Sequence, residues 1–221
     1  MSGRIVWGMV LMLCAPASVA HAQWNLARLT PGESRVQLTA GIDPAVIPSI
    51  GYSRVLSLFG ATSQVGVEGG VVAGEAELRD YRAKITGQVQ LVQYGSLRLS
   101  ASVAAITRGT SNDVFRAVNF GADVGAVGGL YRRRWFVAAE MGFDKAIVTH
   151  FTHTQQYRDL WYAEAKDGWY VENGGTWRFG ATGGVTMGRT ELMLRAGVPR
   201  TQGGETLPIP AYLSVGMGVR F

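Results

Sequence analysis

The sequence predicts an all-β chain, one antiparallel sheet of about ten strands closed into a transmembrane β-barrel, with eight or twelve strands as alternatives. Three observations predict it. Apolar and polar residues alternate with a period of two from residue 35 almost to the end, and helical period is nearly absent. Connections alternate between short turns on one rim and longer, more polar segments on the other. Glycine, with 30 residues of 221, is about twice as frequent as usual, without collagen period or low complexity.

The first 22 residues read as an export signal. Arg4 precedes an apolar stretch over 5–13, and Ala20-His21-Ala22 supplies a small-residue cleavage site. Cleavage leaves a barrel domain at 23–221. It lowers the net charge from +5 to +4 and removes Cys14, the only cysteine. The residue before that cysteine, Leu13, is a poor match to a lipoprotein signal. Disulfide staples, thiol nucleophiles and thiolate metal sites are therefore excluded from the mature chain. A charge of +4, widely dispersed, gives no argument for nucleic acid. No mature segment offers the ~18 uninterrupted apolar residues of a membrane helix.

The strands follow in order. Weaker alternation fits strands at 35–42, 49–58, 64–73 and 114–130. The clearest run sets Ala83, Ile85, Val89 and Leu91 against Lys84, Thr86, Gln88 and Gln90. Leu97, Leu99 and Val103 oppose Arg98, Ser100 and Ser102; Trp135, Val137 and Met141 oppose Glu140, Gly142 and Asp144. Phe179, Val185 and Met187 oppose Arg178 and Gly180, and Leu192 and Leu194 stand against Arg195. Short turns fall near 59–63, 93–96, 131–134 and 188–190. The longer segments lie near 43–48, 74–80, 108–113, 149–174 and 199–210. Phe59, Tyr94, Tyr131, Trp135 and Phe221 all fall at the short-turn rim, where a headgroup belt needs aromatics. A soluble barrel with its apolar face inward shares the period. The terminal Phe221, the aromatic rim and the loop asymmetry favour the membrane.

The last run, Leu213-Ser214-Val215-Gly216-Met217-Gly218-Val219-Arg220-Phe221, with the signal and the alternation, resembles small Gram-negative outer-membrane β-barrels of the OmpA/OmpW type. The resemblance covers the mature chain and is architectural. It implies residence in the outer membrane, contact with outer-membrane lipid and lipopolysaccharide, and Phe221 as the assembly signal read by the barrel-assembly machinery. Such barrels include channels, adhesins, structural proteins and a few enzymes.

Two regions are candidates for function. The lumen face carries Glu68, Lys84, Arg98, Asp123, Glu140, Arg178, Arg195 and Arg220, which persist inside a membrane only if paired or hydrated. They form either a plugging ion-pair network or the constriction of a pore. Gly66, Gly70, Gly121, Gly125, Gly142, Gly180, Gly184, Gly216 and Gly218 share that face, which favours open space or, alternatively, strand curvature. Lys84 and Arg178, nearer the outer mouth, predict mild anion preference if the lumen conducts. The second region is the 149–174 segment, with His150, His153, Trp161, Tyr162, Trp169 and Tyr170 as recognition candidates for a surface protein or glycan. Asp167-Gly168 predicts a two-residue hairpin between 160–165 and 169–173. Arg108, Arg116, Lys145 and Arg158 are placed at the outer rim, near lipid phosphates.

The leading expectation is a small passive channel or membrane-structural barrel with an exposed recognition loop. The rival is a closed barrel that binds a surface partner. An enzyme reading finds little support. Lipid A deacylases use a His-x-Ser pair, whereas this chain has His150-Phe151-Thr152-His153-Thr154. The omptin proteases pair Asp with His, and Asp144 and His150 give no matching motif. No catalytic residue, metal or cofactor is assigned.

Overall fold

Strict alternation leaves each segment one apolar and one polar face, a pattern that only an extended strand can sort. In the computed structural model, which describes residues 24–42, 46–73, 80–205 and 210–221, that is the outcome. The signal reading at 1–22 lies outside the described residues. A 3₁₀ turn (Leu26–Arg28) precedes β1 (Ser34–Ile42), β2 (Val46–Leu58), β3 (Ala61–Val71), β4 (Tyr81–Tyr94), β5 (Leu97–Ser111), β6 (Phe115–Tyr131) and β7 (Trp135–His153). Helix α1 (Gln155–Leu160) and β8 (Gly168–Val171) follow, then β9 (Thr176–Met187), β10 (Thr190–Thr201) and β11 (Tyr212–Arg220).

Ten of these strands form a closed antiparallel ring. Each pairs with its neighbour in sequence, β7 pairs with β9, and β1 pairs with β11 from Arg35↔Arg220 to Ile42↔Leu213. All the weak early segments cross, so eight strands are excluded, and 149–174 adds no crossing pair, so twelve are too. The short turns are tight: Phe59 (φ 52°) and Gly60 (φ 79°) both take the left-handed conformation of a two-residue turn that suits the strand twist.

Burial is inverted relative to a water-soluble protein. Outward Ile50, Ile85 and Val103 are 60%, 65% and 56% exposed, while inward Arg35, Asp144 and Glu191 are 0% exposed. The ring is also uneven in height. β6 and β7 run 17 and 19 residues against nine in β1 and β11. At a 40° tilt the excess lifts this wall roughly 20 Å above β1 and β11.

The expected hairpin at Asp167-Gly168 is not formed. Residues 155–160 are helical, and β8 pairs instead with β7, Val148↔Val171 to Phe151↔Gly168. The reason is an unpaired edge. β9 leaves β7 at Asp144↔Thr176, and β8 takes over the exposed backbone groups above that point.

Candidate functional site

The lumen is filled from two directions. Across its middle the inward charges are paired. Lys84 Nζ stands 3.2 Å from Glu68, whose other oxygen accepts from Gln37 Nε2 at 2.8 Å. Arg178 binds Asp123, and Arg195 binds Glu140. The Tyr212 hydroxyl donates to Glu140 at 2.6 Å, and the Arg195 guanidinium lies 5.0 Å over the Tyr212 ring. The structure thus places Glu68, Lys84, Asp123, Glu140, Arg178 and Arg195 together on the inner face. Lys84 and Arg178, expected to make the mouth basic, each face an acid.

Arg98 lies lower and does different work. Its Nη1 donates to the Leu26 carbonyl and to Gln90 Oε1, both at 2.9 Å. That bond ties down a plug that the sequence did not announce. Residues 24–29 enter the short-turn end, where Trp24, Asn25 and Leu26 are buried and Leu26 packs with Tyr131, Phe136, Ala138 and Met193. The Asn25 N–H donates to Glu191 at 2.6 Å, and its side chain donates to the Arg132 carbonyl at 2.7 Å. Arg35 donates to the Arg28 carbonyl at 3.0 Å and lies over the Trp24 ring at 4.9 Å. Beside the network remains a cavity of about 70 Å³ lined by Gln37, Gln64, Glu68, Lys84 and Gln88, room for a few waters.

Two sequence expectations change with this geometry. Tyr131 is no belt residue; it points inward and stacks on Phe136 at 5.3 Å between ring centres. The inward glycines divide: Gly66 and Gly125 line the cavity, whereas others are filled by neighbours. A Cβ on Gly218 would sit 1.6 Å from the Trp24 ring, and one on Gly180 would lie 2.3 Å from the Tyr212 hydroxyl. These glycines are seats for large side chains on neighbouring segments.

The wall above the ring holds the other candidates, and it divides them. Ile147 is the extra residue of a bulge, with Phe120↔Val148 on one side and Gly121↔Ala146 on the other, which shifts the alternation of β7 above it. Since residues three apart in a strand face opposite ways, His150 and His153 do not form one site. His150 contacts Trp169 at 4.9 Å, and Trp169 contacts Phe120 at 6.0 Å, all on the outer face. His153 stacks on Tyr157 at 5.0 Å, and Tyr170 meets Phe151 at 5.7 Å on the inner face. Trp161 and Tyr162, 69% and 56% exposed, sit at the tip after α1.

Asp167 fixes this tip. It accepts from the His153 N–H at 2.8 Å and pairs with Arg158 at 2.8 Å. Those donors, the main-chain N–H first, hold its carboxyl down to about 2. Arg158, expected at the outer rim, is thus paired with Asp167 within the wall. Arg108 points into the lumen and binds Asp144. Sequence reasoning missed Asp144, Arg35, Glu191 and Trp24. For Asp144 and Glu191 a signal existed, since both lie on the polar phase of their strands. Trp24 had none.

No family model and no curated protein matches this chain. A solved structure from the work "Unveiling the Mechanism Behind the in-meso Crystallization of Membrane Proteins" aligns with 87% of this chain and 83% of that chain at 11% identity. Its TM-score is 0.34, too slight a likeness to bear on function.

Proposed function

We propose that the chain is an outer-membrane β-barrel, closed to solutes at rest, that anchors an external recognition wall made of β6, β7, α1 and β8. The observation that carries this reading is the inverted burial of a closed ring. An apolar outer band and a charged, paired interior suit hydrocarbon outside, where each unpaired backbone or charged group is costly. The plug at 24–29 and the ion pairs support the closed form over the passive channel. The wall offers stacked aromatics beside Arg158 and Lys166, a surface suited to a protein or glycan partner. Phe221, 64% exposed after β11, is accessible to the barrel-assembly machinery. The opposed faces of His150 and His153 speak against a lipid-modifying site built on that pair.

Because the mature chain contains no cysteine, introduced cysteines report topology cleanly. Tyr162→Cys is expected to react with a membrane-impermeant maleimide on intact cells, and Ser96→Cys only after the cells are broken. Equal labelling of both on intact cells, or recovery in the soluble fraction, overturns the reading. Residence in the outer-membrane fraction, with gel mobility that shifts on boiling, supports it.

The cavity beside the ion-pair network favours a second reading, a channel opened when residues 24–29 leave. Conductance that arises only on their removal would separate the two.

A further inference from the structure

The short-turn rim carries a basic surface that neither the lumen nor the wall uses. Arg132, Arg133 and Arg134 in the β6–β7 turn and Arg189 in the β9–β10 turn are all exposed. Their main chains are pinned. Asn25 Nδ2 donates to the Arg132 carbonyl at 2.7 Å, Arg28 Nη1 to that of Arg133 at 3.4 Å, the Thr186 N–H to that of Arg134 at 2.8 Å and the Arg220 N–H to that of Arg189 at 3.0 Å. The two turns are thereby held at one end of the barrel, with all four arginines exposed.

The nearby acids are already engaged. Glu191 is buried against Asn25, and Glu33 lies 3.7 Å from Arg35 and 3.5 Å from Arg220. None of the four rim arginines forms an ion pair among the described residues. Just above them on the outer surface lie Trp135, Met187 and Phe221, which are 44%, 57% and 64% exposed. Four exposed guanidinium groups on anchored turns, over an aromatic and apolar band, match the layering of phosphate over acyl chain. Arginine in particular binds phosphate oxygens in bidentate fashion, and a basic cluster beside a membrane recruits acidic lipid.

We propose that this rim is a binding site for the phosphate headgroups of acidic phospholipid in the leaflet that the short turns face. Arg132, Arg133, Arg134 and Arg189 take the phosphate, and Trp135, Met187 and Phe221 take the upper acyl chain. The proposal rests on the membrane-spanning reading. Its test uses the mature chain and the R132Q/R133Q/R134Q/R189Q variant, each refolded into phosphatidylcholine vesicles with and without phosphatidylglycerol. Native mass spectrometry after gentle extraction then counts the retained lipid. The substitutions keep every main-chain bond named above, so both chains are expected to show the boiling-dependent mobility shift. The unsubstituted chain is expected to retain phosphatidylglycerol over phosphatidylcholine by about tenfold or more, and the variant to lose that preference. Equal preference in both, or none in the unsubstituted chain, overturns the site and leaves the arginines to an acidic soluble partner. Failure of both chains to insert into either vesicle overturns the membrane-spanning reading and the site with it.

Discussion

Glu140 carries two jobs at once, neutralising Arg195 and accepting from the Tyr212 hydroxyl. Removing it leaves a buried guanidinium without a partner, which costs far more than the pair itself contributes. Glu140→Ala is therefore expected to lower barrel stability by about 3–5 kcal/mol, and Glu140→Leu with Arg195→Met by much less. Urea unfolding in detergent, followed by the loss of the compact gel band, measures both. A double variant as unstable as the single one would show that packing, and not charge compensation, holds this layer. The charges themselves were legible as a polar phase in the strands. Their partners were not, because alternation fixes which face a side chain takes and says nothing of register. Arg108 shows the limit: it sits near the end of its strand, and only the pairing of β6 with β7 brings Asp144 beside it.

At the scale of elements, all ten crossings were readable, since a period of two over many residues admits no other element. The misreadings share a cause: a long-range contact outweighed a local signal. Asp167-Gly168 is a good hairpin dipeptide, yet the open edge of β7 above Asp144 captured β8 instead. The Ile147 bulge then reversed the alternation above it, which decides that His150 faces outward and His153 inward, a shift that no single-residue signal announces. The 24–29 segment lacks alternation, and its role as a plug depends on Gly218 on a distant strand making room for Trp24.

The wall tip also carries a pH dependence. The Asp167 carboxyl is held at about 2, below its ordinary value near 3.9. Its stabilising contribution is thus fully present above about pH 4 and is lost as the pH falls through about 2. The protection factors of the β8 amides, corrected for the intrinsic rate at each pH, are expected to be high at pH 5 and to fall as the pH approaches 2, with Asp167→Asn low at both. Unchanged protection at low pH, or a silent Asp167→Asn, would mean that β8 pairing alone fixes the tip.

For the whole molecule, the apolar exterior and the charged interior are two halves of one requirement. On the proposed membrane reading, a closed ring leaves no strand edge in lipid, and paired charges let the inner face be polar without being open. The plug completes the closure at the end where the turns are short and the rim is basic. Recording from the mature chain in a planar bilayer tests this most directly, beside a variant lacking residues 24–29 and with folding verified by the mobility shift. The account predicts a silent intact barrel, and any steady conductance confined to the chain without its plug. Steady conductance through the intact, folded barrel would contradict it.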